Sequence, residues 1–223
     1  DRSPSRGLGD VYKRQDYNST INRHLADFYN MLYTRAKVTD AQRIVVYSEE
    51  SEVCPMSLIN LKYILSMGEL DYSWCEYVGR TGGVYIYRNK YADSAVSFYT
   101  NTISKSECES MDEIGRRLLL KDTLIVPDGE DVLHDTETGE VTLGSFVADG
   151  KYFTGTISNE KEGFLLLTIP DQDGWEVYVD GKKTETINGD YGFLAVKLAA
   201  GNHEVKAVYH LSLIHISEPT RRT

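Results

Sequence analysis

Residues 164–210, FLLLTIPDQDGWEVYVDGKKTETINGDYGFLAVKLAAGNHEVKAVYH, constrain the fold more than any other stretch of this 223-residue chain. Residues 164–169 form an apolar run closed by Pro170, the pattern of a strand buried on both faces. Residues 175–180 alternate instead, with Trp175, Val177 and Val179 on one face and Glu176, Tyr178 and Asp180 on the other. Asp180-Gly181 is a type I′ hairpin signal, because both central residues of that turn need positive φ. The runs 193–198 and 203–209 repeat the strand pattern on either side of Ala199-Ala200-Gly201-Asn202. Four short strands joined by turns predict a compact antiparallel sandwich or barrel.

Both ends of the chain read as foreign. Residues 10–15 (DVYKRQ) and 211–216 (LSLIHI) are what the two strands of one inverted DNA repeat encode, the mosaic end of a transposase-based sequencing adapter. Residues 1–15 and 211–223 are therefore expected to be adapter read-through, and such scars are set aside in reasoning about the fold. The native segment is then 16–210, and the missing flanks leave any leader or membrane span unread.

Charge excludes one class of partner. The chain carries 24 Lys+Arg against 34 Asp+Glu, a net −10. The foreign ends hold six of the basic and three of the acidic residues, so the native segment stands at −13. A field of that sign, without a basic stripe, disfavours nucleic acid. No run approaches the roughly 18 apolar residues that cross a bilayer, so the segment is expected to be water-soluble. Cys54, Cys75 and Cys108 lack zinc-site spacing. They read as buried or incidental thiols, with a Cys54–Cys75 bridge as the alternative in an oxidising compartment.

Upstream, residues 21–33 carry helical spacing behind the capping residues Asn18-Ser19-Thr20. Residues 43–47 read as a strand, and 55–66 as a helix turning into a strand. Strands are expected at 74–78, 83–87 and 95–99. A helix is expected at 112–120, with Ile114, Leu118 and Leu119 apolar and Arg116-Arg117 exposed. From Thr123 onward the pattern is all β, with strands at 124–126, 132–133, 141–146 and 152–157. The predicted class is α+β: a small α/β region over 16–122, then an antiparallel, jelly-roll-like β-sandwich over 123–210.

Sites are sparse. The histidines His24, His134, His203 and His210 fall on different elements, and no nucleophile elbow or phosphate loop occurs. Residues 79–83 are glycine-rich and read as a hairpin turn. Glu49, Glu50 and Glu52 are either a cation patch or a solvated loop. Asp171 and Asp173 are either an acid–base pair or turn formers. Trp175 belongs to the core. Tyr178, on the opposite face, is the one ligand-binding candidate, by stacking on a sugar; its alternative is a solvent-side cross-strand partner. No catalytic residue, metal ligand or cofactor is assigned.

The runs SLINLKYILSMG (57–68), GGVYIYRNKYADSAVSFYTN (82–101), FLLLTIPDQDGWEVYVDGKK (164–183) and GFLAVKLAAGNHEVKAVYH (192–210) resemble, in order, the YfhO family of bacterial polytopic membrane proteins. The pairing of GW-x-VYVDGKK with the terminal G-x-H-x-V-x-x-x-Y is the specific part. Departures fall at turns, where Ala199-Ala200 and Asp93-Ser94-Ala95 replace the family's usual Pro-containing segments. The resemblance implies a lipid-linked sugar transferase of the GT-C type, acting on lipoteichoic acid or other surface polymers outside the cell membrane. Its catalytic carboxylate would lie in an early loop that is not among these residues. The implied partners are the parent's own transmembrane domain and a cell-surface glycopolymer; a secreted carbohydrate-binding or adhesion module is the alternative.

Overall fold

The computed structural model describes residues 23–32, 53–92, 95–135, 137, 139–149 and 151–210. The expected strand at 43–47, the Glu49, Glu50 and Glu52 patch and the side chain of Cys54 lie outside the described residues. The first half holds α1 (Arg23–Leu32), α2 (Val53–Leu58), β1 (Tyr63–Ser66), β2 (Cys75–Thr81), β3 (Val84–Asn89), β4 (Val96–Tyr99), β5 (Thr102–Ser104), α3 (Lys105–Glu109) and α4 (Glu113–Leu119). The second holds β6 (Leu124–Val126), β7 (Val141–Leu143), β8 (Val147–Asp149), β9 (Tyr152–Asn159), β10 (Gly163–Pro170) and β11 (Trp175–Val179). It ends with β12 (Lys182–Thr184), β13 (Ile187–Gly189), β14 (Phe193–Leu198) and β15 (Gly201–Tyr209). The class is α+β with a β-sandwich, as the residue pattern predicts.

The apolar run at the start of the argument is the centre of the molecule. β10 lies between β14 and β4 in the antiparallel sheet β13-β14-β10-β4. Its odd residues Leu165, Leu167 and Ile169 join Leu194, Val196 and Leu198 of β14 in one core, against Val177, Val205, Ala207, Phe153 and Ile157. Its even residues Phe164 and Leu166 face a second core with Phe193, Ala195, Phe28, Leu32, Leu124 and Trp74. This sheet is therefore a middle layer. Burying one such side chain contributes about 1.5–3 kcal/mol, and β10 buries four in succession, Phe164 to Leu167, on alternate sides.

The second sheet of the sandwich runs β12-β11-β15-β9-β7, with β8 also on β9. Its inner face supplies the first core, and its outer face meets water. The expected Asp180-Gly181 turn closes β11 and β12, with φ of 51° and 76°. On the other side of the middle layer sit α1, the parallel pair β5-β6 and the antiparallel sheet β1-β3-β2. The glycine-rich loop at 79–83 is a hairpin turn, Gly82-Gly83 carrying positive φ between paired Thr81 and Val84.

Strand pairing runs across residue 122: β4 is an edge strand of the middle sheet, and β5 pairs with β6. The four residues of β4 cannot form a stable strand alone, so the sheet that buries them decides their place. The expected exposure of Arg116-Arg117 on α4 needs correction. Arg117 is buried, whereas Ile114 and Leu118 are half exposed. Arg116 turns inward as well, donating to the carbonyls of Met111, Met31 and Glu109 at 2.8–3.1 Å. A seven-residue helix capped by Asp112 Oδ1 on Gly115 N–H is oriented by its neighbours, because so short an amphipathic pattern carries little weight.

Candidate functional site

Tyr178 lies on the outer face of the six-stranded sheet, where the alternation puts it. Its cross-strand neighbours are Lys183 on β12 and Lys206 on β15, and Val208 links Glu176 to Tyr152 one row along. The Tyr178 hydroxyl donates to Glu176 Oε2 at 2.7 Å, and Lys183 Nζ donates to Glu176 Oε1. His210 Nε2 is 3.1 Å from Glu176 Oε2. Lys183 first, then Tyr178, holds the Glu176 carboxyl down at about 2. That bond raises the Tyr178 phenol in turn. Tyr178 therefore has its hydroxyl engaged, while its half-buried ring remains on the surface.

A shallow cleft of about 390 Å³ separates Tyr178 from Tyr152, floored by Val208 and edged by Gly181, Glu204 and Lys206. Lys206 Nζ stands 4.8 Å from the Tyr152 ring centroid, and Lys151 Nζ 5.4 Å. Two aromatic rings, two lysines and two carboxylates on a flat, wet sheet can stack on a ring and hydrogen-bond hydroxyl groups. They lack an activated nucleophile. Sequence reasoning found Tyr178 but missed Tyr152 and Lys206, which only strand register brings beside it.

The remaining sequence candidates separate. Asp171 Oδ2 accepts from Asn188 Nδ2 at 2.9 Å and its N–H donates to Gly192, so it anchors a turn. Asp180 Oδ1 accepts from the N–H of Glu204 at 2.9 Å, and its Oδ2 lies 2.8 Å from His203 Nδ1. These contacts hold its carboxyl below the usual carboxylate range, the His203 bond being the larger cause. The other His203 nitrogen faces the Ala199 carbonyl at 3.0 Å, so both are engaged in structure. His24 is on α1, and His134 makes a lone bridge with Asn101. Among the described residues, no three His, Cys, Asp or Glu side chains are placed to hold a metal.

A larger cleft, about 830 Å³, lies elsewhere among the described residues, and no sequence signal marked it. It opens between α1 (Arg23, Asp27), α3 (Lys105, Glu109), Arg116 and the turn residue Tyr191, over Ile125 and Pro127. The Tyr191 hydroxyl donates to Glu109 Oε1 at 3.1 Å, and Lys105 Nζ sits 4.8 Å from its ring centroid. Burial raises the Tyr191 phenol and pushes the Cys108 thiol up to about 11, so that thiol stays protonated at neutral pH. Beneath Tyr191, Asp190 is fully buried, and burial pushes its carboxyl up to about 7.

Comparison with known proteins finds a likeness over the carboxyl-terminal strands. Residues 140–217 match the profile of the family described as bacterial membrane protein YfhO. The uncharacterized protein YfhO of Bacillus subtilis (strain 168) is 30% identical over 57 residues, which are 26% of this chain and 7% of that protein. The matched stretch thus spans a small part of the relative's length. No solved structure matches the chain. The resemblance read from GW-x-VYVDGKK and the terminal hairpin is borne out. Among the described residues, no helix is long and apolar enough to cross a membrane.

Proposed function

We propose, from the premise that residues 140–217 are a YfhO-family region, that this chain is an extracytoplasmic part of a polytopic membrane protein handling lipid-linked sugars. On this reading the sheets perform no chemistry. They stand beside the parent's own transmembrane domain and present a surface polymer of the lipoteichoic acid kind to a catalytic centre elsewhere. The family match carries the reading. The architecture supports it: a doubly buried middle sheet gives a rigid body, and a flat polar sheet faces water.

Reading the flanking genomic DNA tests it. The same frame should contain several apolar spans of about 20 residues. A frame with one leader peptide and no such spans overturns the reading in favour of a secreted carbohydrate-binding or adhesion module. The Tyr152–Tyr178 cleft favours that second reading, and binding of soluble glycans by the isolated chain, lost on Tyr152→Ala, would support it.

A further inference from the structure

The turn between β13 and β14 is made without glycine at its centre. Asp190 and Tyr191 carry φ of 49° and 63°, and Gly192 N–H closes the turn on Gly189 O at 3.1 Å. Positive φ at two successive side-chain-bearing residues is a strained choice, maintained only where surroundings enforce it. Here β6 enforces it. The Asp190 N–H donates to Ile125 O at 2.9 Å, and the Ile125 N–H donates back to Asp190 Oδ1 at 2.9 Å. A side chain thus completes the ladder along the open edge of β6.

The cost sits on the second oxygen. Asp190 has 0% of its surface exposed, and Oδ2 has no hydrogen-bond partner among the described residues. The ionisable groups around it come from three elements. α3 brings the protonated Cys108 thiol, Glu109 and Lys105, and the turn itself brings Tyr191. α4 brings Arg116, whose guanidinium is engaged by three carbonyls. α1 meets the turn through backbone, the His24 carbonyl lying against Gly192. β6 contributes only Leu124, Ile125 and Val126. A buried carboxylate with one N–H donor and no ion pair is far costlier than a neutral acid there.

We infer that Asp190 is a proton-carrying latch: protonated, it holds the 189–192 turn closed on β6, and loss of the proton releases that joint between the sandwich and the helical layer. The carboxyl in the closed turn titrates near 7 against 3.8 when solvated. The closed form therefore holds the extra proton between those values. Its advantage is complete below about 4, shrinks as pH rises, and is gone above about 7. Opening of the turn should become about tenfold easier per pH unit across that window and level off beyond it.

Amide hydrogen exchange on the full chain, corrected for base catalysis, tests the latch at Ile125. The tenfold-per-unit rise in opening should appear between pH 5 and 7 in the wild type and vanish in Asp190→Asn, which keeps the acceptor and suits positive φ. Asp190→Gly, which fits the turn without any carboxyl, should also lose the pH dependence while opening more readily at pH 5. Should the asparagine variant fail to fold, the ¹³C shift of the wild-type Asp190 carboxyl decides. A midpoint near 7 supports the latch. A midpoint near 4, or a pH dependence at Ile125 that survives in both variants, overturns it.

Discussion

The two sheets of the sandwich share one core but differ in what covers their other sides. The middle sheet is roofed by α1, β5 and β6, so Phe164, Leu166, Phe193 and Ala195 are as buried as the residues between them. The outer sheet is roofed by water, and Glu176, Tyr178, Lys206 and Glu204 alternate there with Val177, Val205 and Ala207. Burial on both faces and an exposed polar face therefore belong to different strands, two to four residues apart in sequence at the β10–β11 and β14–β15 connections. A change that perturbs one sheet should leave the other's role largely intact.

The sharpest way to break that comparison is a matched pair of truncations in β10. Leu165→Ala opens a void in the core between the sheets, and Leu166→Ala opens one under α1. Each should destabilise by about 2–5 kcal/mol in urea unfolding, since both positions are closed on all sides. If Leu166→Ala costs no more than a surface change, the middle sheet is not doubly covered. Gly163→Ala comes next. Its Cβ would stand 2.5 Å from both the Phe98 ring and the Tyr99 carbonyl, so β4 must shift, at about 1–3 kcal/mol. Asp112→Ala removes the cap of α4 and should cost about 1 kcal/mol, a check that this short helix is oriented from outside as well as by its sequence.

The smallest effect belongs to the outer face. Glu176 titrates lower in the folded chain than when free, at about 2 against 4.5. The stabilisation from Lys183 and Tyr178 is therefore present above pH 4.5 and fades as pH falls through 2. Glu176→Gln should forfeit that stabilisation at pH 7 and abolish the wild type's excess loss between pH 4.5 and 2, both effects being small because the pair is solvent-exposed. Equal acid sensitivity in both proteins would show that the network contributes nothing to folding.

Sequence patterning was legible where burial follows a simple rule. A continuous apolar run gave β10, strict alternation gave β11, and Asp180-Gly181 gave the turn after it. It failed where a partner decides. β12 and β13 have three residues each and exist because β11 and β14 pair with them. The turn at Asp190-Tyr191 carries no glycine at its centre, so its left-handed backbone was invisible, and with it the buried carboxyl. α4 misled because Arg116 reaches three backbone carbonyls and Arg117 is buried, while Ile114 and Leu118 stay half exposed. Tyr178 was found by parity alone, whereas its neighbours Tyr152 and Lys206 required the register of β9, β15 and β11.

The place of β4 has a further consequence, for biosynthesis. That strand is translated well before β10, its partner in the sheet, and β5 before β6. The nascent first half must hold a greasy, half-finished surface open until the later hairpins emerge to close over it. A cut anywhere between these partners would leave each piece with an unmatched rim, the kind of edge on which stray chains accrete.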